Sequence, residues 1–224
     1  MKLIHGVEET EIFKHSGRHK NTFVICTHSF EMISVISKLI KVTSAHHKGR
    51  FTFEADRVES LQDFISRSDS RNYNNAVKLI SNIGMQMRSY IEYHNCAIPY
   101  FSLEDIVVVN SDTFIFINNS KIIPINAHNG KLQLKTPIQY NESTAFLPIE
   151  VSTADIKKLP TTFFITSSYY SIATLAIFFI INYKFVNSKD DIEVIGRPFL
   201  HTSLYFFIKR CMRYEPTQRI MLYV

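Results

Sequence analysis

The sequence predicts an α+β fold. Two observations support this class. The first half of the chain contains short β-rich segments, and apolar residues at helical spacing dominate its last third. With 224 residues, 46% of them hydrophobic and 20% charged, the chain is globular in composition. It is long enough for one domain with a sizeable core or for two small lobes.

The first half of the chain alternates between strand and helix patterns. Residues 29–42 and 74–93 repeat apolar side chains every three or four positions, which is typical of amphipathic helices, and Asn74 or Asn75 is suited to cap the second one. The elements predicted here are strands over 23–27 and 50–54 and helices over 29–42, 60–66 and 74–93.

The strongest strand signal lies in the middle of the chain. The runs 106–110 (IVVVN) and 114–118 (FIFIN) flank a three-residue connection and predict a tight hairpin. A second hairpin is predicted across Asn129-Gly130, a pair that favours a type I′ turn. From residue 135 to 166 the chain reads as irregular, with three prolines as breaks.

The run 171–181 (SIATLAIFFII) is apolar on every side. It is shorter than the about 18–20 apolar residues that cross a bilayer. We therefore expect no stable membrane span and a helix buried inside the protein, while an anchor at the membrane surface stays open. A last helix is predicted over 199–213, and Pro216 ends it.

Charge and cysteine content exclude several classes of protein. The formal net charge is +5, and no cluster of Lys and Arg concentrates it, so we expect a solvated basic surface and no nucleic-acid partner. Cys26, Cys96 and Cys211 are too widely spaced for a zinc site and suit a reducing compartment. Residues 1–14 carry charges throughout and lack the apolar core of a signal peptide. These features predict an intracellular, cytoplasmic protein.

Five short segments occur in the order in which one known family carries its motifs. The segments are 98–108 (IPYFSLEDIVV), 114–120 (FIFINNS), 146–150 (FLPIE), 168–175 (SYYSIATL) and 210–219 (RCMRYEPTQR). They resemble, in turn, the H-R-D-L-K-P-E-N-I-L-V catalytic loop, the strand before Asp-Phe-Gly, the Ala-Pro-Glu motif, the central buried helix and the late R-C-L-x-x-D-P-x-x-R element of protein kinases. Over residues 50–224 the chain thus resembles a protein kinase, and its style of sequence is similar to that of the kinase-like proteins of large DNA viruses.

The resemblance implies a kinase-like architecture within the α+β class. It implies a stunted β-rich small lobe over residues 1–58, with about four strands and one helix. A mainly helical large lobe would follow over residues 59–224. If the chain is viral, the expected location is the cytoplasm of the host.

The residues that the resemblance aligns with the kinase active site differ from the base and the metal ligands that kinases use. Tyr100 stands at the position of the catalytic Asp, and a phenol, with an ordinary pKa of about 10, is a poor base at neutral pH. Asp105 stands at the position of the metal-binding Asn and could still bind Mg²⁺ through oxygen. Asn118 stands at the position of the metal-binding Asp, so one anionic ligand is lost. A lone carboxylate at Asp105 would make a weak metal site.

The small lobe lacks a Gly-rich loop, since no such motif precedes residue 50. The resemblance leaves Lys14 as the candidate for the Lys that anchors the phosphates of ATP, with Glu31 as its helix partner. Alternatively, the strand 23–27 takes that place, and Cys26 or Thr27 then replaces the Lys. No cofactor is expected, although weak binding of ATP or Mg²⁺ stays open.

The structural residues of the family are better preserved than the catalytic ones. The resemblance implies that Glu150 pairs with Arg219, or with Arg210 if the alignment is shifted. A preserved scaffold without catalysts predicts a pseudokinase that binds a protein partner, with the oligomeric state open. Two alternatives remain: a divergent active Ser/Thr kinase that uses Asp105 and Lys14, and an unrelated α+β structural or membrane-peripheral protein.

Overall fold

The computed structural model describes residues 2–7, 10–14, 21–46, 49–67, 69–135, 141, 143–152, 159–184 and 192–222. The chain forms two compact units, Met1–Asn95 with Leu103–Ile122, and Cys96–Ser102 with Ile123–Val224. Helices and small antiparallel sheets together make an α+β structure, as the sequence predicts. The lobe boundary expected after residue 58 concerns the kinase-like architecture and stays a prediction.

The elements are numbered in chain order. The strands are β1 (Lys2–Val7), β2 (Thr10–Lys14), β3 (Thr22–Thr27), β4 (Val42–His46), β5 (Arg50–Glu54), β6 (Val58–Ser60), β7 (Cys96–Ala97), β8 (Phe101–Ser102), β9 (Ile106–Val109), β10 (Thr113–Phe116), β11 (Ile123–Pro124), β12 (Lys131–Leu134), β13 (Ala145–Phe146) and β14 (Thr161–Phe164). The helices are α1 (Phe30–Ile36), α2 (Leu61–Ile65), α3 (Tyr73–His94), α4 (Ile149–Ser152), α5 (Ser167–Ile181), α6 (Ile192–Ile195) and α7 (Ser203–Cys211).

The first unit contains a five-stranded antiparallel sheet in the order β1-β2-β3-β5-β4. Alternation places Phe51 and Phe53 of β5 in the core, while Arg50 and Glu54 face solvent. The ring of Phe53 stacks on that of Phe23 at 5.7 Å between centroids. The two predicted strands are confirmed, and the sheet has five strands where about four were expected.

Helix α1 is shorter than the predicted helix over residues 29–42. Ser29 caps its start by accepting a hydrogen bond from the backbone of Met32, and Ser37 ends it. Residues 37–41 are not helical, and Val42, the last residue of the predicted range, begins β4, where the β-branched Val42 and Thr43 suit a strand. The Thr43 hydroxyl bonds to Thr52 on β5, so pairing with the sheet overrides the helical pattern.

Helix α3 supports the predicted hairpin, which β9 and β10 form with β6 as a third strand. The buried side chain of Gln86 donates to the carbonyl of Phe114 and accepts from the backbone of Phe116, and thereby joins helix to hairpin. The cap of α3 is Asn72, which accepts from the backbone of Asn75. The prediction of Asn74 or Asn75 as the cap is therefore wrong by two or three residues.

The second unit is arranged around α5, whose residues are buried on nearly every side, as the sequence predicts. Ile177 is 1% exposed, and the ring of Phe178 packs 5.4 Å from that of Phe146. Helix α7 covers 203–211 of the predicted range 199–213. Within the described ranges, none of the helices combines the length and apolar composition that a bilayer span requires.

The predicted second hairpin forms only in part. Ile125 and Leu132 make a single bridge, and the main partner of β12 is β14. Gly130 has a φ of +65° but Asn129 has no positive φ, so the turn is not type I′. The segment expected to be irregular, 135–166, contains β13, α4 and β14, while its residues 136–140, 142 and 153–158 lie outside the described part.

Candidate functional site

The β9–β10 hairpin brings Asp105 and Asn118 together. Asp105 ends a single helical turn just before β9, and Asn118 follows β10. Because the strands are antiparallel, the residues at their open ends meet, and the backbone N–H of Ile117 donates to the carbonyl of Asp105 at 2.8 Å. Two positions that the kinase resemblance assigns to metal ligands are therefore neighbours in the first unit.

The carboxylate of Asp105 is fully buried and both of its oxygens accept hydrogen bonds. The side-chain amide of Asn118 donates to Oδ1 at 2.7 Å. The ammonium group of Lys121 donates to Oδ2 at 2.6 Å, and the Lys121 side chain is 11% exposed. Ser120 donates to Asn118 Oδ1 from its backbone and hydroxyl, which fixes the orientation of the amide. The charge of Asp105 is thus balanced by a lysine of the same chain.

This arrangement limits what Asp105 can do with a metal ion. A Mg²⁺ ion would have to displace the ammonium group of Lys121 from Oδ2 and would find the neutral amide of Asn118 as its neighbour. Mg²⁺ sites usually combine carboxylates, water and phosphate oxygens. The part of the chain that the structure describes contains no group of three or more His, Cys, Asp or Glu side chains suited to a metal.

Sequence reasoning missed Lys121. The available signal was the hairpin itself, since a residue three positions after Asn118 lies near the same open end as Asp105. A single-turn helix, Asn119–Lys121, turns the chain back so that the lysine reaches the carboxylate. The resemblance assigned only metal-ligand positions here, so it did not indicate a cation supplied by the chain itself.

Tyr100 lies in the second unit, between β7 and β8, and is buried. The next residue, Phe101, donates its backbone N–H to the hydroxyl of Ser171 on α5 at 2.8 Å. The same hydroxyl donates to the carbonyl of Phe146 at 2.5 Å. Ser171 therefore anchors the segment that the resemblance aligns with the catalytic loop, and a buried phenol stands where the catalytic carboxylate was expected.

Lys14 and Glu31 do not form an ion pair among the described residues. Lys14 lies on β2 with its ammonium group 5.6 Å from the centroid of Phe23. Glu31 accepts from the hydroxyl of Ser29 at 2.9 Å. A hydrogen bond from its own backbone and the one from Ser29 hold the pKa of Glu31 below its usual value.

The strand before α1 is β3, not the strand that carries Lys14. This order matches the alternative alignment, in which strand 23–27 takes the place of the anchoring strand. In that alignment, which stays a prediction, Cys26 or Thr27 stands at the position of the phosphate-anchoring Lys. Neither side chain can supply a positive charge.

Cys211 is no candidate nucleophile. Burial at the end of α7 raises the pKa of its thiol to about 12, so the group stays protonated at neutral pH. Its sulfur contacts the carbonyl of Ile220 at 3.6 Å. The residue contributes to packing in the second unit.

Glu150 and Arg219 form a bidentate ion pair in the second unit. Arg219 donates from Nη1 to Oε1 at 2.5 Å and from Nη2 to Oε2 at 2.9 Å. The hydroxyl of Ser167, at the start of α5, donates to Oε1 at 2.7 Å. The pairing expected from the sequence is present with Arg219, whereas Arg210 donates instead to the carbonyl of Phe206.

The Arg219 guanidinium is completely buried and donates hydrogen bonds from all three of its nitrogens. It also donates to the carbonyls of Arg213 and Tyr214 and lies 5.0 Å from the ring of Tyr170. Burial alone would raise the pKa of Glu150, but the hydrogen bonds from Arg219 and Ser167 and the charge of Arg219 more than offset it, so the pKa is lowered. The pair joins α4, the start of α5 and the end of the described chain.

No family model matches this chain, and no curated protein matches it. The kinase resemblance therefore depends on the residues of the five segments themselves.

Replacing Glu150 with Gln should lower the free energy of unfolding by about 3 kcal/mol, because the buried guanidinium of Arg219 loses its charge partner. This is the lower end of the range for breaking a buried pair, since Glu150 is 21% exposed. Urea denaturation measures the change. The matched control is Glu193→Gln, which breaks the exposed pair with Lys209 and should leave stability nearly unchanged. Equal effects of the two variants would show that the Glu150 pair is not structural.

The stabilising effect of Glu150 should disappear in acid. Because its pKa in the folded protein lies below the unfolded value of 4.5, its contribution is complete above pH 4.5 and is lost as the pH falls through the folded pKa. The difference in unfolding free energy between the unmodified protein and Glu150→Gln should therefore shrink below pH 4.5. Urea denaturation at a series of pH values measures it. A difference that grows in acid would contradict the assigned ion pair.

Lys121→Met should lower the free energy of unfolding by about 3–5 kcal/mol, because the carboxylate of Asp105 then stays buried without its cation. Adding Asp105→Asn should recover a large part of that loss, since no buried charge remains. A double-mutant cycle in urea measures the coupling. Lys78→Met, which removes an exposed ammonium 3.9 Å from Asp112, serves as the control and should be nearly neutral. Additive effects of the two changes would contradict a direct Asp105–Lys121 interaction.

Proposed function

We propose that this chain is a kinase-like scaffold, a pseudokinase that binds a protein partner and does not transfer phosphate. The observation that supports this most directly is the closed cluster of Asp105, Asn118 and Lys121. The proposal includes an intracellular location, in the cytoplasm, and in that of the host if the chain is viral.

The charges within the cluster are an argument against phosphoryl transfer. That reaction depends on metal ions held by carboxylate and amide oxygens, which neutralise the developing charge on the phosphates. Here the one remaining carboxylate, Asp105, already has the ammonium of Lys121 at 2.6 Å. Asn118, at the position that the resemblance gives to the second anionic ligand, is a neutral amide whose nitrogen donates to Asp105.

Two other requirements of catalysis, a base and a phosphate-binding loop, are also unmet, and neither depends on the metal. The residue aligned with the catalytic base is Tyr100, and a phenol holds its proton at neutral pH. Between the paired ends of β1 and β2, at Val7 and Thr10, the sequence has only Glu8 and Glu9. Two acidic residues repel phosphate groups, whereas a phosphate-binding loop presents glycine backbone N–H groups.

Several features of the two units support a kinase-like scaffold. The first unit contains a five-stranded sheet with one helix between β3 and β4, in keeping with a small lobe of strands plus one helix. The second contains a buried central helix and the Glu150–Arg219 pair, both of which the resemblance requires. The burial of α5 among protein side chains also disfavours the alternative of a membrane-peripheral protein anchored by that helix.

The purified protein should show no phosphate transfer from labelled ATP, either to itself or to generic protein substrates, where active kinases turn over about 1–100 times per second. Loss of the base and of one metal ligand removes interactions that act in the transition state. A thermal-shift titration with ATP, with and without Mg²⁺, accompanies the assay and should show no Mg²⁺-dependent stabilisation.

The control for this assay is Asp105→Ala. If the unmodified protein transfers phosphate and this variant does not, Asp105 holds a working metal and the chain is a divergent kinase. Transfer that survives in the variant would indicate a contaminating kinase, and the chain itself would remain inactive.

A further inference from the structure

Three polar side chains of different chemistry meet inside the first unit. Asp105 is fully buried, Asn118 is 6% exposed, and the side chain of Lys121 is 11% exposed. Ile106 and Ile117, which follow Asp105 and precede Asn118 along the hairpin, are also completely buried. A carboxylate, an amide and an amine therefore share one interior site.

The turn after β10 places Asn118 and Lys121 on the same side of the chain. Asn118 caps the single-turn 3₁₀ helix that ends at Lys121, and its carbonyl accepts a hydrogen bond from the Lys121 backbone at 3.3 Å. Side chains three residues apart are eclipsed in a 3₁₀ helix. Both side chains bond to one carboxylate, the amide to Oδ1 of Asp105 at 2.7 Å and the ammonium to Oδ2 at 2.6 Å. The amide of Asn118 and Nζ of Lys121 thus occupy neighbouring oxygens.

Ser120 polarises the side-chain amide of Asn118. Its backbone N–H and its hydroxyl both donate to Oδ1 of Asn118, at 3.1 Å and 2.7 Å. Two donors on a carbonyl oxygen draw electrons from the attached carbon, and they stabilise negative charge that develops on that oxygen during attack by a nucleophile. The Cγ atom of Asn118 is therefore activated toward an amine.

We propose that Lys121 forms an intramolecular amide bond with Asn118 and that Asp105 carries the protons of this reaction. The proposal goes beyond the proposed function, because the cross-link forms whether or not the chain transfers phosphate. Nucleophile, carbonyl group and proton carrier are held together by the fold. Such pre-positioning removes the entropic cost of bringing reacting groups together, which is one of the largest barriers to a slow reaction.

The reaction exchanges one amide for another. Oδ2 of Asp105 takes a proton from the Lys121 ammonium, and the lone pair of the resulting amine forms a bond to Cγ of Asn118. The electron pair of the Cγ–Oδ1 double bond moves to Oδ1, where the two donors of Ser120 stabilise it. A second proton passes from Nζ through the carboxyl group to Nδ2. The carbonyl then forms again, the Cγ–Nδ2 bond breaks, and ammonia leaves.

The charge balance favours the product. The reactants contain one ammonium and one carboxylate, whereas the products are a secondary amide, ammonia and a neutral Asp105 carboxyl group. Burial disfavours charged groups far more than neutral ones, and no charge stays buried after the reaction. Ammonia diffuses away, so the reverse reaction lacks its nucleophile.

The test is mass spectrometry of the full chain, purified and then denatured. The chain should be lighter than its sequence by one ammonia molecule. Trypsin cuts after free lysine and arginine, so the digest should lack the cut after Lys121 and contain an uncut peptide 89–131 with the same loss. Fragmentation of that peptide should give no backbone fragments that separate residue 118 from residue 121.

Variants assign the bond to its residues. Lys121→Arg is the matched variant, because it keeps a cation beside Asp105 while the guanidinium stays protonated and cannot attack. This variant, Asn118→Ala and Asp105→Asn should each have the full mass of their sequence. Lys78→Arg, which changes an exposed lysine of α3, should still lose ammonia. The unmodified protein decides the proposal even if a variant fails to fold.

Loss of one ammonia with Lys121 closed to trypsin, and full mass in Lys121→Arg, supports the proposal. A full mass in the unmodified protein overturns it, and the three side chains then form only an ion pair with its hydrogen bonds. Loss of water also overturns it, since Asp105 would then be the residue joined to Lys121. An asparagine can lose ammonia by closing a ring with its own backbone. That loss would leave the cut after Lys121 intact, would persist in Lys121→Arg, and would equally overturn the proposal.

The proposed function is judged separately by the phosphate-transfer assay. A chain that transfers no phosphate and has its full mass would remain a pseudokinase without the cross-link. A chain that transfers phosphate and has lost ammonia would be a cross-linked kinase. The two experiments therefore fail independently.

Discussion

Burial of a carboxylate at the open end of the β9–β10 hairpin constrains the chemistry of the first unit. A charged carboxylate loses several kcal/mol of hydration when it is buried, so it needs a cation or several donors in place. Asp105 obtains one cation from Lys121 and one donor from Asn118, and Ser120 fixes the amide. Each of these residues is held by the hairpin or by the turn that follows it. The same contacts that stabilise the fold therefore occupy the atoms that a metal ion would use.

In the second unit, the cation that pairs with the partly buried carboxylate is an arginine instead of a lysine. Glu150 is a partly buried carboxylate that meets a planar guanidinium, and Arg219 donates to it from two nitrogens and to two backbone carbonyls from the same side chain. A lysine presents a single charged point, whereas an arginine bridges several chain segments. Accordingly, Lys121 contacts a carboxylate at one end of a hairpin, whereas Arg219 connects α4, the start of α5 and the chain after α7.

The sequence was sufficient where one local pattern decides the structure. The β9–β10 hairpin and the buried helix α5 follow from runs of apolar residues with clear ends. The Glu150–Arg219 pair was implied only by the kinase resemblance, which left Arg210 as an alternative partner. The sequence was insufficient where a distant partner decides. The helical pattern was predicted to run to residue 42, but α1 ends at Ile36 and Val42 begins β4, because β5 offers an edge to pair with. Lys121 could not be assigned to Asp105 without the position of the turn between Asn118 and Ile122.

The buried carboxylates of both units are neutralised by cations of the same chain. Among the described residues, Asp105 pairs with Lys121, Glu59 with Arg67 and Glu150 with Arg219. Asp105 could therefore accept a metal ion only if the ammonium group of Lys121 were displaced from its carboxylate.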